Sequence, residues 1–201
     1  MKQHLTRSRI VAVVAAIAAL AGAGVTLARM SAPVPDTVAS LHERLLLPTE
    51  LPGFAPHVCA LVETDAARWA SGYPSVAGLR RNGFLGGLRE PLQGTIADAR
   101  AVTSVAHFAS AEGARHELED ELGAARRASR GFAAFPVAGI PGARGFMVRS
   151  GGAKRYSVLF SDEGYLHVVT VGFSSSAAEQ PSRSRVAGVA AALYRRVHEL
   201  R

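Results

Sequence analysis

With 201 residues, 48% of them hydrophobic, the chain can bury a sizeable core without disulfides or a structural metal, and its lone Cys59 excludes an internal disulfide. The net charge of +7 is concentrated at one end: four of the 23 Lys/Arg (Lys2, Arg7, Arg9, Arg29) precede the first acid, Asp36, and the other 19 face 16 Asp/Glu, a balance of +3. Aromatic residues make up 6% and do not interleave with Arg, so neither charge nor base stacking supports nucleic-acid binding.

Residues 1–9 are short and basic, and residues 10–28 carry no charge. A positive n-region before an apolar run is the shape of an export signal. Two readings fit it. In one, residues 10–20 form the apolar core of a signal peptide, and Ala21, Gly22 and Ala23 supply the small residues of a cleavage site. In the other, the whole run is one apolar helix of about the ~20 residues that a bilayer requires, weakened by its Ala and Gly. Both keep the basic end cytoplasmic and place the remainder outside, either attached to the cell membrane as a single-pass protein or secreted. A lipoprotein would need Cys where Ala23 stands, so lipidation is disfavoured. The organisation read from this is a signal peptide or single-pass anchor over 1–29, a linker over 30–36 containing Pro33 and Pro35, and an extracytoplasmic domain over 37–201.

Asp36 or Thr37 is placed to cap a short helix in which Val38, Leu41 and Leu45 share a face. Pro48 ends it, residues 51–54 read as a turn, and residues 58–62 as a short strand. Asp65 starts a helix containing Trp69, with Gly72 as its stop. Ser75 caps a third helix over 76–81, with Gly83 just past its end. Strands are expected over 84–90, with Gly86 and Gly87 marking a bulge, and over 101–108. Ser110 caps the longest interior helix, whose apolar stripe is read as Ala111, Ala114, Leu118, Leu122 and Ala125. Glu112 lies near its positive end, and Arg126 and Arg127 near its negative end. Residues 132–137 read as a strand and residues 139–145 as a turn-rich connection. Residues 146–149 then lead through Ser150, Gly151 and Gly152 into the clearest stretch of the chain, residues 155–173. There Tyr156, Val158 and Phe160 alternate with Ser157 and Leu159, and Tyr165, His167, Val169, Val171 and Phe173 with Leu166, Val168 and Thr170. This is a hairpin of period two, its loop read as Asp162, Glu163 and Gly164 in a type I turn with a glycine bulge. Both faces of the second strand are largely apolar, which places it centrally in a sheet. A last helix from about Arg183 presents Val186, Val189, Leu193, Val197 and Leu200. Helices, strands, one embedded helix, more strands and a closing helix make this an α+β chain. One antiparallel sheet of about five or six strands is expected, with helices packed on it.

Three segments carry a resemblance: residues 82–87 (Asn82, Gly83, Phe84, Leu85, Gly86, Gly87), residues 105–114 around His107, Phe108 and Ser110, and residues 139–146 (Gly139, Ile140, Pro141, Gly142, Ala143, Arg144, Gly145, Phe146). Together they resemble a group of uncharacterised exported envelope proteins of high-GC bacteria, many of them lipoproteins, over most of residues 46–194. The absent Cys at position 23 departs from that pattern. The layout is also similar to Mog1/PsbP-type domains, which act as binding or assembly factors. Both resemblances concern fold, and neither carries a catalytic residue onto this chain.

No complete chemical motif emerges. His116, Glu117, Leu118, Glu119 and Asp120 begin like a zinc-protease helix, but Asp120 stands where the second His is needed, so a solvated acidic face is expected. His57 and Cys59 would share one side of a strand, yet two ligands are too few for a metal. Ser174, Ser175 and Ser176 follow a strand, but Ser176 occupies the position where a nucleophile elbow needs Gly. His167 has no Asp and Ser partners at telling spacing. Gly151, Gly152, Ala153, Lys154 and Arg155 lack the outer Gly and Ser/Thr of a phosphate loop. Arg80 and Arg81, Arg126, Arg127 and Arg130, and Arg195 and Arg196 read as solvated helix faces that can also meet anionic lipid. The expectation is therefore a non-enzymatic extracytoplasmic binding domain of the envelope, without metal or cofactor and with no binding residue singled out. Its partner would be an envelope protein or a small apolar ligand, and the N-terminal segment would meet the membrane. The alternatives are an envelope hydrolase, whose His57, His107 or His167 meets a Ser or acid only in the fold, and a structural domain held near anionic lipid by its Arg patches.

Overall fold

Alternation in residues 155–173 is realised as two long antiparallel strands at the centre of a mixed α+β structure. A computed structural model describes residues 36–70, 74–95, 99–129, 131–150, 152–173 and 182–200. The expected signal or anchor, all of the linker but Asp36, the helix stop at Gly72, Gly151, Arg130 and Ser174 to Ser176 lie outside the described residues. No helix among the described residues is long and apolar enough to cross a membrane.

Five helices and eight strands are described: α1 (Val38–His42), β1 (Phe54–Pro56), β2 (Leu61–Glu63), α2 (Ala66–Trp69), α3 (Val76–Arg81), β3 (Phe84–Gly94), β4 (Ala99–Phe108), α4 (Ala111–Ala128), β5 (Ala133–Phe135), β6 (Arg144–Ser150), β7 (Ala153–Asp162), β8 (Tyr165–Phe173) and α5 (Arg183–Glu199). They form one antiparallel sheet in the order β1-β3-β4-β8-β7-β6-β5, with β2 also paired to β3. The central place expected for β8 is observed, between β4 and β7. The sheet has eight strands rather than the five or six expected; β5 falls within the strand read over 132–137, whereas β1, three residues long, is too short to show a period. β1 falls where a turn was read, and β2 lies later than the expected 58–62, leaving His57 and Cys59 in an exposed connection rather than on a strand.

The hairpin turn also differs. Asp162 pairs with Tyr165, so the loop is two residues, and Glu163 takes the positive φ of 53°. Gly164 is required for another reason: a Cβ there would stand 2.9 Å from the Phe108 carbonyl oxygen. The bulge expected at Gly86 and Gly87 is present as a register shift between Phe84 and Gly86.

Opposite faces of the sheet bury different helices. Tyr156, Val158 and Phe160 of β7 and Val169, Val171 and Phe173 of β8 pack against Val186, Val189, Ala190, Leu193 and Val197 of α5. Ser182 caps α5 by accepting from the Arg185 N–H at 3.2 Å. Leu200, expected in the stripe, is instead 45% exposed because the helix ends at Glu199. The other face, with Leu159, Leu166, Ala106, Phe108, Phe146 and Val148, receives α4 through Ala114, Leu118 and Ala125, together with Trp69 and Leu79. Ser110 caps α4 as expected, accepting from the Gly113 N–H at 3.0 Å. Full burial of a Val or Leu contributes about 1.5–3 kcal/mol and of a methyl about 0.8 kcal/mol. By that measure α5, with three valines and a leucine, is held more firmly than α4, with one leucine and two alanines.

Candidate functional site

The buried stripe of α4 is not the one its apolar residues suggest. Gly113, Ala114, Glu117, Leu118, Glu121 and Ala125 face inward, so two carboxyls occupy positions that the 3.6-residue period assigns to the core. Ala111 is exposed and Leu122 only half-buried. The acidic face expected over residues 116–120 holds for Glu119, which meets Arg144 at 2.9 Å, and for Asp120, which meets Arg81 at 2.6 Å. It fails for Glu117, which is fully buried and accepts from Asn82 Nδ2 at 2.8 Å. Burial pushes the Glu117 carboxyl up, and the Asn82 hydrogen bond partly offsets this.

Between α4 and α2, over the sheet, lies a cleft of about 470 Å³. Glu121 and Ala128 form one wall, and Trp69 and Pro74 the other. Strand register arranges the floor in rows. Arg89, Ser104, Val168 and Leu159 are successive cross-strand neighbours on β3, β4, β8 and β7. In the next row Val102, Thr170, Ser157 and Phe146 follow one another on β4, β8, β7 and β6. Ala106 and Leu166 extend the apolar end, and Arg155 lies at the other. The hydroxyls of Ser157 and Thr170 stand 3.0 Å apart and satisfy one another.

Local sequence builds the wall opposite α4. Asp65 accepts from the Ala67 N–H at 2.8 Å and starts α2, which delivers Trp69 onto the sheet. Gly87 makes room for it, since a Cβ there would fall 2.7 Å from the indole. The Arg89 guanidinium lies 4.5 Å from the Trp69 ring centroid and donates to its carbonyl at 3.3 Å. Burial draws the Arg89 pKa down, and the Glu121 charge works in the opposite sense. The Glu121 carboxyl is pushed up to about 8, first by burial and then by Glu117 one turn away, with Arg89 opposing both. At neutral pH it is therefore a protonated acid, able to donate a hydrogen bond, rather than an anion.

A second polar cluster lies on the other side of the sheet. The Tyr165 hydroxyl donates to Asp36, and His107 Nδ1 stands 4.0 Å from the same carboxylate. His107 stacks on Tyr165 with centroids 4.7 Å apart, and the Arg44 guanidinium lies 3.8 Å over the Tyr165 ring. Burial first, and then the bond to Asp36, push the Tyr165 hydroxyl up to about 12. His167 is fully buried against Phe160, and burial takes its ring down to about 3.

The histidines of the hydrolase alternative are therefore not gathered in the cleft. His57 is exposed on the connection before β2, and His107 and His167 lie on the sheet face away from the cleft. Among the described residues no hydrogen bond joins a Ser to a His, and no three of His, Cys, Asp and Glu are grouped as metal ligands. Ser150, at the end of β6, pairs with Ala153, at the start of β7, and Gly152 takes a positive φ of 84°. Of the Arg patches, Arg80, Arg127 and Arg195 are exposed, but Arg196 is engaged with Glu50 at 2.9 Å and with the carbonyls of Glu43 and Leu45. One part of the cleft has a signal in the chain: Glu121, like Glu117, stands in phase with Ala114, Leu118 and Ala125.

No protein-family model matches the chain, and no curated protein does. Among solved structures, the extracellular domain of PknH from Mycobacterium tuberculosis is similar at a TM-score of 0.53 and 11% identity, over 80% of this chain and 98% of that one. An uncharacterised protein from Mycobacterium smegmatis, the Rv0999 ortholog, reaches a TM-score of 0.34 at 12% identity, over 73% of this chain and 90% of that one. At these identities the first likeness is one of fold, and the second carries no argument. The chain thus shares its α+β architecture with the extracellular domain of PknH.

Proposed function

We propose that this chain is an extracytoplasmic, non-enzymatic binding domain whose α2–α4 cleft takes a small, largely apolar ligand. The cleft carries the reading. Its volume of about 470 Å³ lies within the roughly 300–1,000 Å³ of small-molecule sites, and its walls are mostly apolar with a few convergent polar groups. Support for the location comes from the basic and apolar N-terminal segment, and from a fold shared with a domain described as extracellular. Attachment is the finer point, and a retained anchor is the reading we favour over a cleaved signal.

Native mass spectrometry of the full chain, gently extracted from its own host's envelope, tests the reading. A discrete added mass is expected on the wild type and lost in Val102→Phe, which fills the cleft floor. A bare spectrum for both, with Trp69 emission unmoved by an extract of the same envelope, would sink it. Trp69 is the chain's one tryptophan and lines the cleft, so its emission reports on this site alone.

A further inference from the structure

Resting on the cleft reading, we propose that the ligand is an amphiphile with a single carboxylate head, seated at Arg89 and Ser104 with its apolar body along Val168, Leu159 and Phe146. Arg89 and Ser104 are direct cross-strand partners and both line the cleft floor. The indole of Trp69 lies against the guanidinium and shields it from water on that side. Glu121 faces them from α4, and its proton, retained up to about pH 8, makes it a donor rather than a competing anion. Among the described residues the inner end therefore presents the Arg89 guanidinium together with groups able to donate. That set matches a carboxylate, whose two oxygens accept charge-assisted hydrogen bonds. An ammonium head would meet a cation and a neutral acid. An uncharged head would forgo the charge-assisted part. Beyond the head, the first floor row continues as Val168 and Leu159, and the second reaches Phe146 on β6 past the mutually satisfied hydroxyls of Thr170 and Ser157.

The charges around Glu121 set the pH dependence. Glu117 precedes it by one turn on α4, Arg89 faces it from β3, Arg155 lies at the cleft on β7, and among the described residues the opposite wall adds Trp69 and Pro74, neither of them titratable. Above about pH 8 Glu121 ionises, two anions then share Arg89, and affinity for the carboxylate falls.

Dodecanoate and dodecanol, equal in chain length, are titrated against the full chain held in amphipol, with Trp69 emission as the signal. At pH 6.5 dodecanoate is expected to act at a concentration at least about tenfold lower than dodecanol, the effect of one charge-assisted interaction of about 1.5 kcal/mol or more. Arg89→Gln should bring the two together. At pH 9.5 the wild-type preference should shrink, whereas Glu121→Gln, neutral at every pH, should keep it. Glu121→Gln also decides the matter if Arg89→Gln fails to fold: loss of the pH 9.5 preference in that variant overturns the head-group assignment. Equal action of the two probes overturns the carboxylate and leaves the cleft reading standing. Silence from both probes removes the two readings together.

Discussion

Glu121 and His167 show how burial sets the acid–base behaviour of this domain. The folded chain keeps a proton on Glu121 up to about pH 8, while the ordinary carboxyl loses it near 4.5. Between those values the folded state holds the extra proton, so stability falls as pH rises through that window. His167 has the opposite sign: neutral in the folded state down to about 3, against an ordinary 6.5, it lets the unfolded chain hold the extra proton, and stability is lost as pH falls from 6.5 toward 3. Urea midpoints should therefore peak in the mildly acidic range. Glu121→Gln is expected to flatten the alkaline limb, gaining on the order of a few kcal/mol at pH 8.5 relative to wild type and little at pH 5. His167→Phe, which keeps a ring against Phe160, should flatten the acid limb. An unchanged alkaline slope in Glu121→Gln would mean that the carboxyl is already ionised in the folded protein.

At the scale of elements, the two long helices respond differently to the same substitution. Gly to Ala in a helix interior ordinarily stabilises by about 1 kcal/mol. In α5 the site of Gly188 is open, with nothing within 4 Å of a new Cβ, so Gly188→Ala should show that gain as a rise in thermal midpoint. In α4 a Cβ at Gly113 would lie 2.1 Å from the Asn82 carbonyl oxygen, a backbone atom that cannot step aside. Gly113→Ala is therefore expected to destabilise by about 1–3 kcal/mol despite its better propensity. The close approach matters for the cleft as well, because it sets α4 tight against the residues after α3 at one end. Toward Glu121 and Ala128 the same helix forms the cleft wall, and its grip on the sheet rests on Leu118, Ala114 and Ala125.

Across the whole molecule, Arg196 ties the last helix, α5, to the segment that follows α1. From α5 it reaches both carboxylate oxygens of Glu50, at 2.9 and 3.1 Å, and the carbonyls of Glu43 and Leu45. The segment it holds carries Leu41 and Leu45 onto Leu88 and Val105, and Leu46 and Leu51 into the α5 core. Arg196→Met keeps the stem but leaves a largely buried carboxylate without its cation, so a loss of about 2 kcal/mol is expected in chemical denaturation. Arg196→Lys should recover only part of it, since an ammonium cannot form the paired contact. A variant as stable as wild type would show that this link between α5 and residues 43–50 is dispensable.

Much of the architecture was legible in the chain because short-range physics writes it there. Period-two runs placed β7 and β8, doubly apolar faces made β8 central, and Ser75 and Ser110 marked helix starts through hydrogen bonds spanning three residues. β1 escaped notice because a three-residue strand exists only through a partner already in place. The cleft escaped for a deeper reason. Glu121, Arg89, Ser104 and Trp69 come from α4, β3, β4 and α2, and no spacing in the sequence joins them. Only the register of β3 with β4, and the lie of α4 across the sheet, turn a glutamate in an apolar stripe into a protonated acid facing a shielded guanidinium. Local periodicity decided the elements; burial, which depends on what packs above each side chain, decided the chemistry.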